Sequence, residues 1–189
     1  MTSAATKPGA KILTADDLLR LYSEGVRGEL IRGVLHQTVA AGIEHGEIAM
    51  NFGSMMQGFV RPARLGRVVG SDSGIRLDRD PDTVREPDVA FISAEKMPLD
   101  IRVRGYSEVV PDLVVEIISP NDRAVAVYDK AQMWLRYGVL VVLVIDPDTR
   151  SVTVLPQDGP ARTLAEHDTL DGGEVLPGFT CPVRDIFDL

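Results

Sequence analysis

The chain has 189 residues, of which 44% are hydrophobic and 25% are charged, values typical of an ordinary globular protein. Its formal net charge of −8 argues against nucleic-acid binding by the whole surface, because neutralising phosphates requires Lys and Arg. No apolar run approaches the roughly 18 residues of a membrane span, and the N-terminus lacks a hydrophobic signal core. The single cysteine, Cys181, excludes an internal disulfide. We therefore expect a cytoplasmic protein without a membrane partner.

The N-terminal segment predicts a flexible tail followed by one domain. Residues 1–13 include a small, polar stretch, and residues 14–189 contain no domain-scale linker or internal repeat. Thr14 precedes Asp17 by three positions, a spacing that resembles a capping box. A short helix to about Glu24 is expected to follow.

Turn and periodicity signals then predict a hairpin and a longer helix. Two short strands are expected to turn at Arg32-Gly33. Apolar residues recur at three- and four-residue spacing over residues 43–59, which predicts a helix with one buried face. His45 falls on this face.

Two strand-like runs and an irregular connection occupy the middle of the chain. Strands are predicted over residues 66–77 and 83–92, with breakers at Gly70, Gly74 and the turn 80–82. Residues 94–111 are charged and irregular, which indicates a surface connection.

The next three elements form the clearest pattern in the chain. Buried strands are predicted over residues 112–118 and 139–145, with a helix over 123–137 between them, capped by Asn121 or Asp122. Such a β-α-β unit predicts parallel strands with a right-handed crossover. A strand over 151–155 is expected to pair next to the second one, and the remaining tail looks rich in loops.

One carboxylate interrupts a buried strand. Glu116 stands within Leu-Val-Val-Glu-Ile-Ile, where both strand faces are apolar. A buried carboxylate is costly unless it is paired or holds a metal. Two interpretations stay open: a strand-end acid paired with an arginine, or a metal ligand.

A second carboxylate, Asp88, follows Pro87 at the start of an apolar run, 28 positions before Glu116. By itself it is equally consistent with a turn aspartate. Together the two acids favour a metal site, because Mg²⁺ typically takes one or two carboxylates completed by water and substrate phosphate.

Weaker candidates accompany this pair. Lys130 flanks the buried stripe of its predicted helix and either extends to water or reaches the carboxylates. Tyr137 lies seven residues further on, on nearly the same face. Glu29 is a surface acid or a site residue, and His45 is a core histidine or a ligand.

These residues, in their order, resemble the Uma2 family, a group within the PD-(D/E)xK nuclease superfamily. The resemblance covers roughly residues 14–189. It rests on Glu29-Leu-Ile-Arg-Gly33, His45, Pro87-Asp88, Pro111-Asp112-Leu-Val-Val-Glu116-Ile-Ile-Ser-Pro120, Lys130, Tyr137-Gly138-Val139 and Val144-Ile145-Asp146-Pro147.

The resemblance implies a restriction-endonuclease-like α/β core, in which helices flank a central mixed sheet, with an additional N-terminal helix and β-hairpin. It also implies an active site on Asp88 and Glu116 with Mg²⁺ or Mn²⁺, and Glu29 and His45 nearby. The superfamily pattern expects lysine two residues after the acid, where this chain has Ile118. Lys130 is the natural substitute. The second Pro-Asp pair, Pro111-Asp112, is at the wrong end of its strand and is rejected.

The leading hypothesis is a metal-dependent endonuclease acting on nucleic acid, with DNA as the expected substrate. Asp88, Glu116 and the main-chain carbonyl of Ile117 would bind the metal, Lys130 would orient water, and Glu29 would hold a second metal or a water. A catalytically inactive binding or assembly module is the main alternative, and hydrolysis of another phosphate-containing substrate is a third. A homodimer is expected on general grounds.

Overall fold

The computed structural model describes residues 12–120 and 122–188. Residues 1–11, which make up most of the predicted flexible tail, lie outside the described residues, as does Asn121. The helices of the described part are α1 (Ala15–Ser23), α2 (Ile43–Val60), α3 (Ala124–Arg136) and α4 (Arg184–Phe187). Its strands are β1 (Gly28–Ile31), β2 (Val34–Gln37), β3 (Gly66–Gly70), β4 (Ile75–Asp78), β5 (Thr83–Arg85), β6 (Val89–Ser93), β7 (Leu113–Ile117), β8 (Val141–Asp146), β9 (Ser151–Pro156), β10 (Arg162–Leu164), β11 (Thr169–Asp171) and β12 (Thr180–Pro182).

The chain divides into two compact units, each assembled from separate segments. Among the described residues, the first comprises 12–40, 74–86 and 103–108, and the second comprises 41–73, 87–102, 109–120 and 122–188. The chain therefore passes from one unit to the other several times.

The first unit is an antiparallel sheet with one helix. Its strand order is β2-β1-β5-β4, and α1 packs a small apolar core that includes Leu18, Leu30 and Val84. The predicted hairpin turn at Arg32-Gly33 is confirmed. Both turn residues have positive φ, as a two-residue turn that matches the strand twist requires. The predicted capping box at the start of α1 is also present.

The second unit is built on a six-stranded mixed sheet of order β10-β9-β8-β7-β6-β3. Strands β7 and β8 pair in parallel, as the β-α-β pattern predicted, and β9 pairs antiparallel with β8. The other pairings in this sheet are antiparallel as well. The predicted mixed sheet is confirmed.

Helices cover both faces of β7, and side-chain alternation along this strand assigns each face. Leu113, Val115 and Ile117 belong to the core that the buried residues of α2 complete. The intervening residues, including Glu116, point to the opposite face, on which α3 contacts β7 and β8. Both faces are buried, which explains why the strand is apolar almost throughout.

Two predicted strands are wrong in their extent. The strand expected over residues 66–77 is two strands, β3 and β4, separated by a turn that begins at Ser71. The strand expected over 83–92 is likewise two, β5 and β6, with Pro87 between them. In each case the first and second halves pair in different sheets. Glycine and proline mark these breaks, because neither residue favours an uninterrupted ladder.

Two smaller expectations also need correction. Helix α3 has Arg123 as its N-cap, without a side-chain cap, and Asp122 instead accepts a hydrogen bond from the Ser119 N–H. The tail expected to be rich in loops contains the β11–β12 hairpin and the one-turn helix α4. Within the described residues, no helix is long and apolar enough to cross a membrane.

Candidate active site

The two predicted carboxylates come from adjacent strands of the six-stranded sheet. Val89 of β6 pairs with Val115 of β7, which brings Asp88 alongside Glu116. The Asp88 side chain substitutes for a main-chain acceptor at this end of the ladder, because its Oδ2 accepts the Ile117 N–H at 2.7 Å. Two residues 28 positions apart in sequence are therefore brought together by strand pairing.

Glu116 is buried beneath α3, and its carboxylate receives a donor on each oxygen. The residue is 4% exposed. Its Oε2 lies 2.9 Å from the Lys130 Nζ, and its Oε1 accepts a hydrogen bond of 2.6 Å from the Trp134 Nε1. Lys130 and Trp134 are four residues apart and share one face of the helix. The burial of this acid is thus compensated by a cation and a neutral donor.

The catalytic hypothesis requires Lys130 to reach the carboxylates. Lys130 lies on α3, whereas the superfamily pattern expects the lysine at position 118, two residues after Glu116. Its ammonium nevertheless contacts the Glu116 carboxylate directly. Its side chain is 20% exposed and that of Glu116 is 5% exposed. Lys130 therefore connects a buried carboxylate with the solvent-accessible side of the site.

His45 contacts the other carboxylate. Its Nε2 lies 3.2 Å from Asp88 Oδ2, and its side chain is largely buried in the first turn of α2. The hydrogen bond to Asp88 raises the pKa of His45, burial lowers it by less, and the charges of Asp88, Asp122 and Glu116 raise it further. The histidine pKa consequently lies above its ordinary value. The positive end of the helix dipole disfavours a protonated His45 in the first turn of α2. The neighbouring acids offset this effect.

Glu29 and Tyr137 are placed differently. Glu29 lies in β1 of the first unit, where it is buried. Its Oε2 is 3.0 Å from the Arg85 Nε, and its Oε1 accepts the Glu86 N–H. Glu29 is therefore not a surface acid, which was one of the two interpretations from the sequence. Tyr137 is the C-cap of α3, about 10 Å along the helix axis from Lys130. Roles for both residues at a metal site stay predictions.

The rejected Pro-Asp pair has a structural partner set of its own. Asp112 immediately precedes β7, at the opposite end from Glu116. Its Oδ2 accepts the Ser93 N–H at 2.7 Å, and its Oδ1 lies 2.9 Å from the Lys96 Nζ. This acid anchors the start of the strand.

The oxygen donors at the site suit a hard cation with few protein ligands. Within the described residues, no group of three or more His, Cys, Asp or Glu side chains is arranged to hold a metal ion. What the strand ends offer is two neighbouring carboxylates with main-chain carbonyls, and a carboxylate oxygen that accepts one hydrogen bond keeps a second lone pair. This donor set fits Mg²⁺, which commonly retains several waters and binds through one or two carboxylates.

Trp134 lies on the buried face of α3 with Val127 and Ala131, and its polar contact was not predicted from the sequence. The signal was available: Trp134 follows Lys130 by four residues, so whatever the lysine reaches on the sheet lies within range of the indole. Buried tryptophans usually find a partner for their N–H.

A cavity of about 600 Å³ lies elsewhere in the second unit. It is lined mainly by apolar side chains, among them Leu113 at the end of β7 that is remote from Glu116. An ion pair between Arg162 and Asp171 stands among its lining residues. The candidate site and this cavity are therefore separate features.

Comparison with known proteins agrees with this architecture. The chain is similar to a solved structure from Anabaena variabilis, described as a putative nuclease belonging to DUF820. The two share 20% sequence identity with a TM-score of 0.79, over 93% of this chain and 97% of the other. At this identity the likeness establishes the fold, and the predicted nuclease-like α/β fold is confirmed. None of the curated proteins matches the sequence.

The sequence also matches a family profile over most of its length. The match extends over residues 15–184 and is to the Uma2 family, which is described as "Putative restriction endonuclease". This range includes Asp88, Glu116 and Lys130, which are among the residues on which the predicted resemblance was based. The chain belongs to the Uma2 family.

Proposed function

We propose that this protein is a metal-dependent endonuclease that hydrolyses phosphodiester bonds of nucleic acid. The observation that carries the proposal is the contact of Lys130 with Glu116, next to Asp88, at a partly exposed end of the sheet. A packing role alone does not require two acids and a lysine to converge where apolar side chains would suffice. The raised pKa of His45 beside Asp88 also supports the proposal, because perturbed pKa values cluster at functional sites.

Asp88 and Glu116 would hold Mg²⁺ or Mn²⁺, with the main-chain carbonyl of Ile117 as a third ligand. The Ile117 N–H points to Asp88, and in extended backbone the carbonyl of the same residue points to the same side. This supports Ile117 as a ligand. A bound divalent cation would supply an activated water and polarise the phosphodiester.

Lys130 and His45 would complete the chemistry from opposite sides of the pair. Lys130 would orient the attacking water and stabilise the negative charge that develops on the phosphate. His45 keeps the Asp88 carboxylate in place through its hydrogen bond. Glu29 is proposed to hold a second metal or a water.

The proposed substrate follows from the family description and from the chemistry of the site. The net charge of −8 argues against a nucleic-acid substrate, because nonspecific attraction to phosphates needs a basic surface. It favours the second candidate, a nuclease-fold protein without catalysis that acts as a binding or assembly module. Fold does not by itself decide between the two.

Metal binding and strand cleavage, measured on isosteric variants, test the proposal. Purified protein is titrated with Mn²⁺ and Mg²⁺ by calorimetry and assayed for nicking of plasmid and single-stranded DNA. Asp88→Asn and Glu116→Gln remove one negative charge each and are expected to abolish both signals. Asp158→Asn and Glu174→Gln make the same changes at exposed positions beside the separate cavity and should retain both.

Two outcomes would contradict the endonuclease. Wild-type protein that binds neither metal excludes a metal-dependent mechanism. Wild-type protein that binds metal but cleaves no nucleic acid favours the binding module.

A homodimer and a cytoplasmic location are also proposed. The oligomeric state is measured directly by light scattering during size-exclusion chromatography.

A further inference from the structure

Trp134 contacts the site through its one polar atom. It is the one tryptophan of the chain, and its side chain is fully buried. Its Nε1–H donates to Glu116 Oε1 at 2.6 Å. This indole therefore contacts the same carboxylate as Lys130.

The spacing along α3 explains how one helix holds both oxygens of Glu116. Residues four apart lie on the same helix face, about one turn from each other. Lys130 is 2.9 Å from Oε2, and Trp134 is 2.6 Å from Oε1. With a donor on each oxygen, the plane of the carboxylate is fixed relative to the helix.

Packing alone does not require this donor. The buried residues Val127 and Ala131 lie on the same face of α3, and both are apolar. An indole N–H is a donor only, so Trp134 cannot bind a metal or take up a proton. Its polar atom therefore acts on the site through Glu116, the carboxylate to which it donates.

We propose that Trp134 is a positioning residue that orients Glu116 for divalent-metal binding; this inference rests on the proposed function. Groups that orient metal ligands by hydrogen bonds typically contribute about 10- to 100-fold to metal affinity. Without the indole donor, Oε1 is left buried with one fewer hydrogen bond and the carboxylate can rotate about its last side-chain bond. Lys130 contacts the other oxygen, Oε2, and so does not replace the donor at Oε1.

The test replaces one atom group of Trp134. Benzothienylalanine, introduced at position 134 by amber suppression, has nearly the shape of tryptophan but carries sulfur in place of the N–H. The substituted protein is expected to keep its circular dichroism spectrum while its affinity for Mn²⁺, measured by calorimetry, falls about 10-fold or more. Tyr128→Phe is the control. It removes a hydroxyl of the same helix, α3, that donates a hydrogen bond to Thr153 of the same sheet. It should leave the affinity unchanged.

The results separate this inference from the proposed function. If wild-type protein binds no Mn²⁺, the proposed function itself fails. If it binds and the folded benzothienylalanine protein has the same affinity within twofold, the endonuclease proposal stands and the role of Trp134 is refuted.

A measurement on unmodified protein covers the case in which the substituted protein does not fold. Because the chain has a single tryptophan, its fluorescence reports Trp134 alone. Mn²⁺ is expected to quench this emission with the midpoint found by calorimetry, and Glu116→Gln should abolish the quenching. Binding of Mn²⁺ without any change in emission would overturn the proposal.

Discussion

At the scale of single residues, the central fact is a buried carboxylate that two side chains of one helix compensate. Glu116 is almost fully covered, and Lys130 and Trp134 each take one of its oxygens. Removing the cation that pairs with a buried acid strongly destabilises the folded state, because the desolvation of the carboxylate is no longer offset. The site and the stability of the fold are therefore coupled through Lys130.

Lys130→Met keeps most of the side-chain length and removes the ammonium. We expect the rate of DNA nicking at saturating Mg²⁺ to fall at least about 100-fold, because a donor aimed at developing charge is lost. The free energy of unfolding, measured with urea, should fall by about 1–3 kcal/mol as Glu116 loses a buried partner.

Lys96→Met is the matched control, since Lys96 makes the equivalent contact with Asp112 at the other end of β7. It is expected to reduce stability without a change in the nicking rate. A wild-type rate in Lys130→Met would show that the lysine has only a structural role.

At the scale of elements, an acid from a different segment supports the first helix. The Asp82 Oδ2 accepts the N–H of Ala15, the first residue of α1, at 2.6 Å, and its Oδ1 lies 2.6 Å from Arg76. The first amides of a helix have no partner within the helix and favour a negative charge. Burial raises the pKa of Asp82, but the contacts with Ala15 and Arg76 together outweigh it, so the pKa lies below its ordinary value.

Asp82→Asn is expected to lower the free energy of unfolding by about 1–3 kcal/mol at pH 7. Because the folded-state pKa of Asp82 is depressed, its contribution is complete above the unfolded-state value of about 3.9 and is lost as the pH falls through the folded-state value. The difference between wild type and Asp82→Asn should therefore be constant above about pH 5 and shrink below about pH 4.

Urea denaturation at several pH values measures this difference, and the exposed Asp158→Asn is the control that should show none. A difference that stays constant down to pH 2 would mean that the charge of Asp82 is not what stabilises α1.

At the scale of the whole molecule, metal binding and folding are linked by mass action. The charge of −8 is already unfavourable for a compact state, and two of these charges meet at the ends of β6 and β7. A ligand that binds the folded state alone, at 100 times its dissociation constant, stabilises that state by about 2.7 kcal/mol.

Mg²⁺ at such a concentration is therefore expected to raise the free energy of unfolding of wild type by that amount. The double variant Asp88→Asn/Glu116→Gln should gain nothing, whereas Asp158→Asn/Glu174→Gln should gain as much as wild type. Calorimetric thermal scans provide the measurement. Equal stabilisation of all three proteins would place the metal elsewhere.

Much of the second unit was predictable because its signals are local. Apolar periodicity predicted α2 with its buried face, and the succession of β7, α3 and β8 predicted a parallel pair. In the first unit, two short strand-like runs that turn at Arg32-Gly33 predicted the β1–β2 hairpin. Strand ends near Gly70 and Pro87 were misjudged, because β4 and β5 leave the sheet in which β3 and β6 pair and join the sheet of β1 and β2.

The sequence by itself determined the family, the elements of the β-α-β unit and the two acids placed where an apolar strand has no need of them. Tertiary structure decided that Asp88 and Glu116 are neighbours across β6 and β7, that Lys130 reaches Glu116, and that a core tryptophan is also its hydrogen-bond donor. Periodicity assigns a side chain to a face of its own helix or strand. What that face meets depends on register and crossover between distant segments, which no local pattern contains.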